Sequence, residues 1–190
     1  MNSLVVLGVL ALVLIWATFV YNRLVALRNR AEGAWSDIDV QLKRRHDLVG
    51  NLVETVKGYA SHERETFEAV VEARNQAEGA RQSGDLAAAG AAESLLGGRI
   101  GAIFALAEAY PELKANEGFR DLQKSLGDLE TAIQDARRYY NAVVRDLNTR
   151  IQSMPDMLVA RFGSFAPLGF FELEDAAEAA VPQVRFGAEG

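Results

Sequence analysis

The sequence contains no cysteine. That excludes a disulfide framework, a thiolate metal site, a cysteine nucleophile and a lipidated cysteine anchor. Histidine is also scarce, with two copies, and proline has only four. Positive charge is not in excess. Twenty Lys and Arg face 26 Asp and Glu, a net charge of −6, so no broad basic field exists to hold nucleic acid. What is present is ordinary for a folded chain of 190 residues: 49% hydrophobic and 24% charged residues exclude wholesale disorder.

Charge is missing altogether from residues 1–20. From Leu4 to Tyr21 the chain holds five Leu, five Val, Ile15 and Phe19, and no charged side chain. As a helix this stretch spans roughly 27 Å, enough for a hydrocarbon core of about 30 Å. Trp16, Phe19 and Tyr21 gather at its far end, where an interfacial aromatic belt belongs. A cleaved signal peptide would need a basic start and a small-x-small site. Met1-Asn2-Ser3 and Ile15-Trp16-Ala17-Thr18-Phe19 offer neither. Residues 4–21 are therefore expected to sit in a lipid bilayer.

Beyond the anchor, apolar residues recur at helical spacing. Leu24, Leu27, Ala31, Ala34, Ile38 and Leu42 form one run, and Val49, Leu52, Val56, Tyr59, Phe67 and Val70 another. Lys43 to Gly50 lies between them. Gly79, Gln82, Ser83 and Gly84 break the pattern, and Asp85 is placed to cap the next helix. Pro111 ends that helix and Asn116 can cap the last. The last stripe is the clearest: Phe119, Leu122, Leu126, Leu129, Ile133, Ala136, Tyr140, Val144, Leu147, Ile151 and Met154. Helices over 22–47, 50–80, 85–110 and 116–154 would be roughly 39, 46, 39 and 58 Å long. A single rod over 22–80 would outrun the third helix. The expected fold is thus all-α, with a sharp turn near 46–50 and an antiparallel up-and-down four-helix bundle. The alternative is a three-helix bundle with a long kinked first helix. The expected divisions are an anchor over 1–21, a bundle over 22–155 and a C-terminal strap over 156–190. That last segment is rich in aromatics, then acidic.

Several long runs point to a family. Ala34-Trp35-Ser36-Asp37-Ile38-Asp39-Val40-Gln41-Leu42-Lys43-Arg44-Arg45-His46-Asp47-Leu48 and Asn51-Leu52-Val53-Glu54-Thr55-Val56-Lys57-Gly58-Tyr59-Ala60 resemble the LemA family of bacterial membrane proteins. So do Tyr110-Pro111-Glu112-Leu113-Lys114-Ala115-Asn116, Ala136-Arg137-Arg138-Tyr139-Tyr140-Asn141 and Phe170-Phe171-Glu172. The resemblance implies one N-terminal transmembrane helix, a four-helix bundle and no established enzymatic activity. Two positions depart from it. Gly50 stands where many relatives carry proline, and Met154 where an aromatic is common.

Residues that could carry chemistry are few. A di-iron bundle needs Glu-x-x-His pairs, yet Lys43 precedes His46 by three and Tyr59 precedes His62. No metallopeptidase, phosphate-loop or nucleophile-elbow motif occurs. No cofactor or metal is expected, and both histidines read as surface or capping residues. Gly97, Gly98 and Gly101 read as close helix packing, Trp35 as core, and Arg137 and Arg138 as partners of acids on neighbouring helices. Two segments are candidates for binding a protein partner: the charge run Lys43, Arg44, Arg45, His46 and Asp47, and the aromatics Phe165, Phe170 and Phe171. The first also reads as a solvated helix end, the second as plugs for grooves of the bundle. Arg23, Arg28 and Arg30 follow the anchor closely, and no Lys or Arg precedes it. By the positive-inside rule the N-terminus faces outward and the bundle lies in the cytoplasm of a bacterial cell. The function expected is a membrane-anchored, non-catalytic scaffold or adaptor for protein partners, with self-assembly open. The alternative is an enzyme, or an enzyme subunit, whose site has no sequence signature.

Overall fold

The computed structural model describes residues 2–173. The acidic segment and the Pro182-Gln183-Val184-Arg185-Phe186 run lie outside the described residues. Among the described residues every regular element is helical. Helix α1 runs over Asn2–Lys57, α2 over Arg64–Ser83, α3 over Leu86–Ala107, α4 over Pro111–Ala115, α5 over Glu117–Gln152 and α6 over Asp156–Phe162.

The apolar N-terminal segment and the bundle share one helix, because α1 continues without interruption from Asn2 to Lys57. This corrects the expected turn near 46–50. A glycine inside a helix costs only about 1 kcal/mol. Leu42, Val49, Leu52, Val53 and Val56 flank Gly50 and are all buried, so packing on both sides outweighs that cost. The chain turns instead at Gly58–Glu63, within what reads as a continuous 50–80 stripe. The Val56 carbonyl accepts from both Tyr59 and Ala60 there, closing the turn. Tyr59 belongs to the turn rather than the stripe, and its hydroxyl accepts from Asn116 Nδ2 at 2.9 Å.

Other boundaries follow the sequence closely. Gly84 closes α2 in the left-handed region, at φ 75°, which a glycine adopts without a Cβ clash. Asp85 caps α3 by accepting from the backbone amides of Ala87 and Ala88. Asn116 Oδ1 accepts from Phe119 N at 2.9 Å and caps α5. α2 returns antiparallel to α1, α3 runs outward again, and α5 returns along α1 from Val56 to Val20. Four helices therefore pack side by side only at the end far from the apolar N-terminal segment.

The core stacks along this axis in three parts. The distal part joins Val49, Leu52, Val53 and Val56 to α2, α3 and the start of α5. The middle part joins Ala31, Ala34, Ile38 and Leu42 to Leu129, Ile133, Tyr140 and Val144 of α5. The proximal part joins Val20 and Leu24 to Leu147, Ile151 and Ala160. Where α2 and α3 stop short, the strap fills their place. Phe171 is fully buried, with Trp35 at 5.2 Å between ring centroids. Asn148 and Asn141 each both donate to and accept from the strap backbone, at Leu168 and Phe171. Those asparagines stand seven residues apart, about 10.5 Å of helix, which three extended residues match at about 10 Å. Gly90 completes the seat, since a Cβ there would overlap the Glu172 carbonyl.

Candidate functional site

α3 carries two charges in 22 residues, Glu93 and Arg99. Its buried face repeats as Ala89, Glu93, Leu96, Ile100, Ile103 and Ala107, so helical spacing places one carboxylate on an apolar stripe. A buried carboxylate needs partners, because desolvating an unpaired charge costs several kcal/mol. α1 supplies them from adjacent positions. His46 Nε2 lies 2.6 Å from Glu93 Oε1, and Arg45 Nη1 donates to Glu93 Oε2 at 3.5 Å. Glu93 is fully buried, and the Arg45 and His46 side chains are 7% and 4% exposed.

The cluster spreads to every long helix. His46 Nδ1 faces Glu78 Oε2 of α2 at 3.0 Å. Arg81 of α2 donates to Glu78 and to Asp39 of α1. Arg74 Nε donates to the His46 carbonyl at 2.8 Å. Arg45 Nη2 reaches Glu130 Oε2 of α5 at 3.1 Å. Every buried side-chain nitrogen and oxygen among the described residues has a hydrogen-bond partner.

These partners dictate protonation. Both ring nitrogens of His46 face carboxylates, which accept only, so the doubly protonated ring is the form that satisfies both. Burial opposes that charge. Hydrogen bonds and attraction from Glu93 and then Glu78 outweigh it and raise the His46 pKa above its ordinary 6.5. Glu78 is held far below the usual carboxylate range, first by its hydrogen bond from Arg81.

The signs give a pH window. His46, with its pKa raised on folding, contributes stability that is complete below about pH 6.5 and lost as pH rises through its folded pKa. Glu78, with its pKa lowered, contributes stability above the ordinary glutamate range and loses it in acid. Urea unfolding of the detergent-solubilised chain is therefore expected to show a gap between wild type and His46→Gln that narrows from pH 6 to pH 9. A constant gap would show that the ring does not titrate in this range.

The model of the LemA family matches residues 34–186, which include α1 from Ala34 onward, the whole charge cluster and the strap. The chain belongs to the LemA family. Among curated relatives, "Magnetosome protein MamQ" of Magnetospirillum gryphiswaldense is 25% identical over 205 residues, covering 94% of this chain and 75% of that protein. "Magnetosome protein MamQ 2" and "Magnetosome protein MamQ 1" of Paramagnetospirillum magneticum are each 25% identical over 202 residues, covering 93% of this chain and 74% of theirs. With its long apolar N-terminal helix, the chain is a membrane-associated LemA protein.

In this LemA chain the structure divides the expected binding residues. Lys43, Arg44 and Asp47 are exposed, whereas Arg45 and His46 are buried and belong to the internal cluster. The run is therefore not a solvated helix end, and His46 is not a surface residue; His62 is exposed. Phe171 plugs the bundle, Phe165 stacks edge-on against Tyr21 at 5.5 Å, and Phe170 is half exposed.

Two further expectations change. Arg138 pairs with Asp135 of its own helix, and Arg137 donates to the Leu173 carbonyl at 3.5 Å. Among the described residues neither meets an acid on another helix. Gly98 and Gly101 have open space where a side chain would stand, and Gly97 makes room for the Arg45 guanidinium. These glycines line a groove of about 550 Å³ between α3 and α5 rather than a close helix contact. Glu78, Arg81, Asp39, Glu93 and Glu130 were not singled out by the sequence. The signal that could have found them is Glu93, an isolated acid in phase with the apolar stripe of α3.

Proposed function

We propose that this LemA protein is a membrane-tethered, non-catalytic scaffold that presents its helical bundle to protein partners in the bacterial cytoplasm. The observation that carries this reading is the unbroken α1. The same helix that holds the apolar anchor continues from Asn22 to Lys57, about 54 Å, so the bundle is coupled to the bilayer without a hinge. The charged groups suited to acid–base chemistry, His46, Glu78 and Glu93, are engaged with one another and with arginines in a latch between helices. That arrangement favours support over catalysis. α3 is also long and apolar enough to cross a membrane, but its inward face packs on α2 and carries Glu93, so we assign it to the bundle. Residues 4–21 are then the one span among the described residues. Arg23, Arg28 and Arg30 hold its bundle side in the cytoplasm.

The docking surface in this reading is the exposed remainder of the charge run. Lys43 lies 22 residues beyond Tyr21, roughly 33 Å from the bilayer, out of reach of headgroup charges at a Debye length of about 8 Å. A protein with complementary charge is the partner that fits. A photo-crosslinking amino acid at position 44 of the full chain, activated in native membranes, is expected to give a discrete heterologous adduct. Lys43→Glu should abolish it with no change in melting temperature. Crosslinks only between copies of the chain, or none, would refute an adaptor docking at this surface.

A further inference from the structure

A short surface helix ordinarily shows an apolar face to the core and a polar face to water; a helix apolar on all sides is buried. α6 has apolar residues on both sides. Its inner face places Ala160, 1% exposed, against Val20 and Leu24 of α1 and Ile151 of α5. Its outer face, with the turn before it, shows Phe162 at 91%, Met154 at 66%, Leu158 at 47% and Met157 at 41% exposure. Four large apolar residues within nine positions form a patch that water alone would not favour.

The place of this patch identifies what covers it. Val20 lies within the apolar span over residues 4–21, and Ala160 packs directly on it. Gly163 and Phe165 sit against Tyr21, the last residue of the span. α1 is exposed from Leu4 to Ile15, and Trp16 and Ala17 are its first partly covered residues. Trp16 to Tyr21 is about 7.5 Å of helix rise, so protein covers one side of α1 to that depth within the span. Interfacial helices bury their apolar faces about 5–10 Å into the headgroup and acyl boundary, which is the depth at hand. Phe19 and Tyr21, exposed on α1, extend the same apolar surface. Arg161 beside Phe162 and Arg23 beside Tyr21 are exposed at the height where anionic headgroups lie.

We propose that the α5–α6 turn and α6, from Met154 to Phe162, form a second membrane contact, embedded in the interfacial layer of the leaflet from which α1 emerges. The bundle then stands on two points, the span and this wedge. Rotation and tilt of α1 are fixed relative to the bilayer, and the exposed residues at 43, 44 and 47 are held at a set height. The sequence expectation that the strap aromatics dock on the bundle holds for Phe165 and Phe171. Phe162 points outward instead. The proposal rests on residues 4–21 spanning the bilayer, and its test must separate the two.

The absence of cysteine makes single-site spin labelling direct. The full chain is reconstituted in vesicles of phosphatidylcholine and phosphatidylglycerol as Leu10→Cys, Leu158→Cys, Phe162→Cys or Tyr139→Cys. Each is labelled, and collisions with oxygen and with a water-soluble nickel chelate are compared. Labels at 10, 158 and 162 are expected to favour oxygen, with 158 and 162 shallower than 10. The label at Tyr139, which is 52% exposed on α5, should favour nickel. Nickel access at 158 and 162, with 10 still in lipid, overturns the wedge and leaves the anchor standing. Low access to both reagents at 158 and 162 overturns it in favour of contact with a second copy. Nickel access at 10 removes the anchor itself, and the wedge with it.

Discussion

Replacing Glu93 by alanine is expected to destabilise the folded domain by about 3–5 kcal/mol, the range for removing one partner from a buried ion pair. Glu93 is fully buried and faces two bases that are themselves nearly inaccessible. Its loss leaves Arg45 with Glu130 and His46 with Glu78, both of which are partly exposed and offer weaker compensation. The truncated side chain also leaves a void beneath α3. For a chain of this size the shift corresponds to a fall in melting temperature of roughly 6–20 °C. Circular dichroism at 222 nm on the detergent-solubilised protein measures it. Glu78→Ala should lower the melting temperature less, because the Glu78 side chain is 37% exposed and water can replace it. Equal, small shifts for both would mean that the cluster is solvated and is not a latch.

The latch also explains why the molecule needs polar groups in its core. α2 and α3 form a hairpin that touches α1 through mainly aliphatic contacts, which tolerate sliding by a turn. His46 between Glu78 and Glu93, with Arg81 on Asp39, fixes one register. We infer that the cluster is retained for this positioning rather than for stability, in line with the near-zero net value of many buried ion pairs. Register matters here because α2 and α3 end where the strap begins. Phe171 packs against Ala89 and Gly90, so a shift of α3 would close the seat of the strap.

How legible this was depends on which force decided each element. α5 could be read nearly in full: its stripe runs inward as far as Ile151, Asn116 caps it and Pro155 follows its end, whereas Met154, read as the last residue of the stripe, lies beyond the helix and is exposed. The α2–α3 turn was equally plain, because Gly84 and Asp85 act locally. The end of α1 was not. Gly50 and Gly58 carry the same intrinsic penalty, and only tertiary packing distinguishes them. The valines and leucines around Gly50 are buried by three other helices, while Gly58 is exposed beyond them. The charge run was misread for a related reason. In sequence, five polar residues look like a solvated end. In a helix with neighbours on one side, Arg45 and His46 turn inward and Lys43, Arg44 and Asp47 outward. The partner that makes their burial favourable lies 47 residues beyond His46, at Glu93.

Leu147→Asp is expected to be the most damaging substitution in α5. Leu147 is 1% exposed and packs with Val20, Leu24 and Ala160 in the proximal core. An aspartate there would place a carboxylate among apolar side chains, where its charge is poorly solvated. The loss should reach about 4 kcal/mol or more, in the class of buried unpaired polar groups. Leu129→Asp, in the middle core, should behave similarly. Asp128, one residue away, faces solvent, and Asp128→Ala should stay within about 0.5 kcal/mol of wild type. Melting of the three variants side by side tests the phase of the whole helix. If Asp128→Ala were as harmful as the leucine substitutions, α5 would be rotated from the position described. Leu147→Asp should also have a local effect. Its cluster is what holds α6 against α1, so proteolysis near Met154–Phe162 should accelerate before the distal bundle melts. Cleavage and global melting moving together would show that the three parts of the core unfold as one unit.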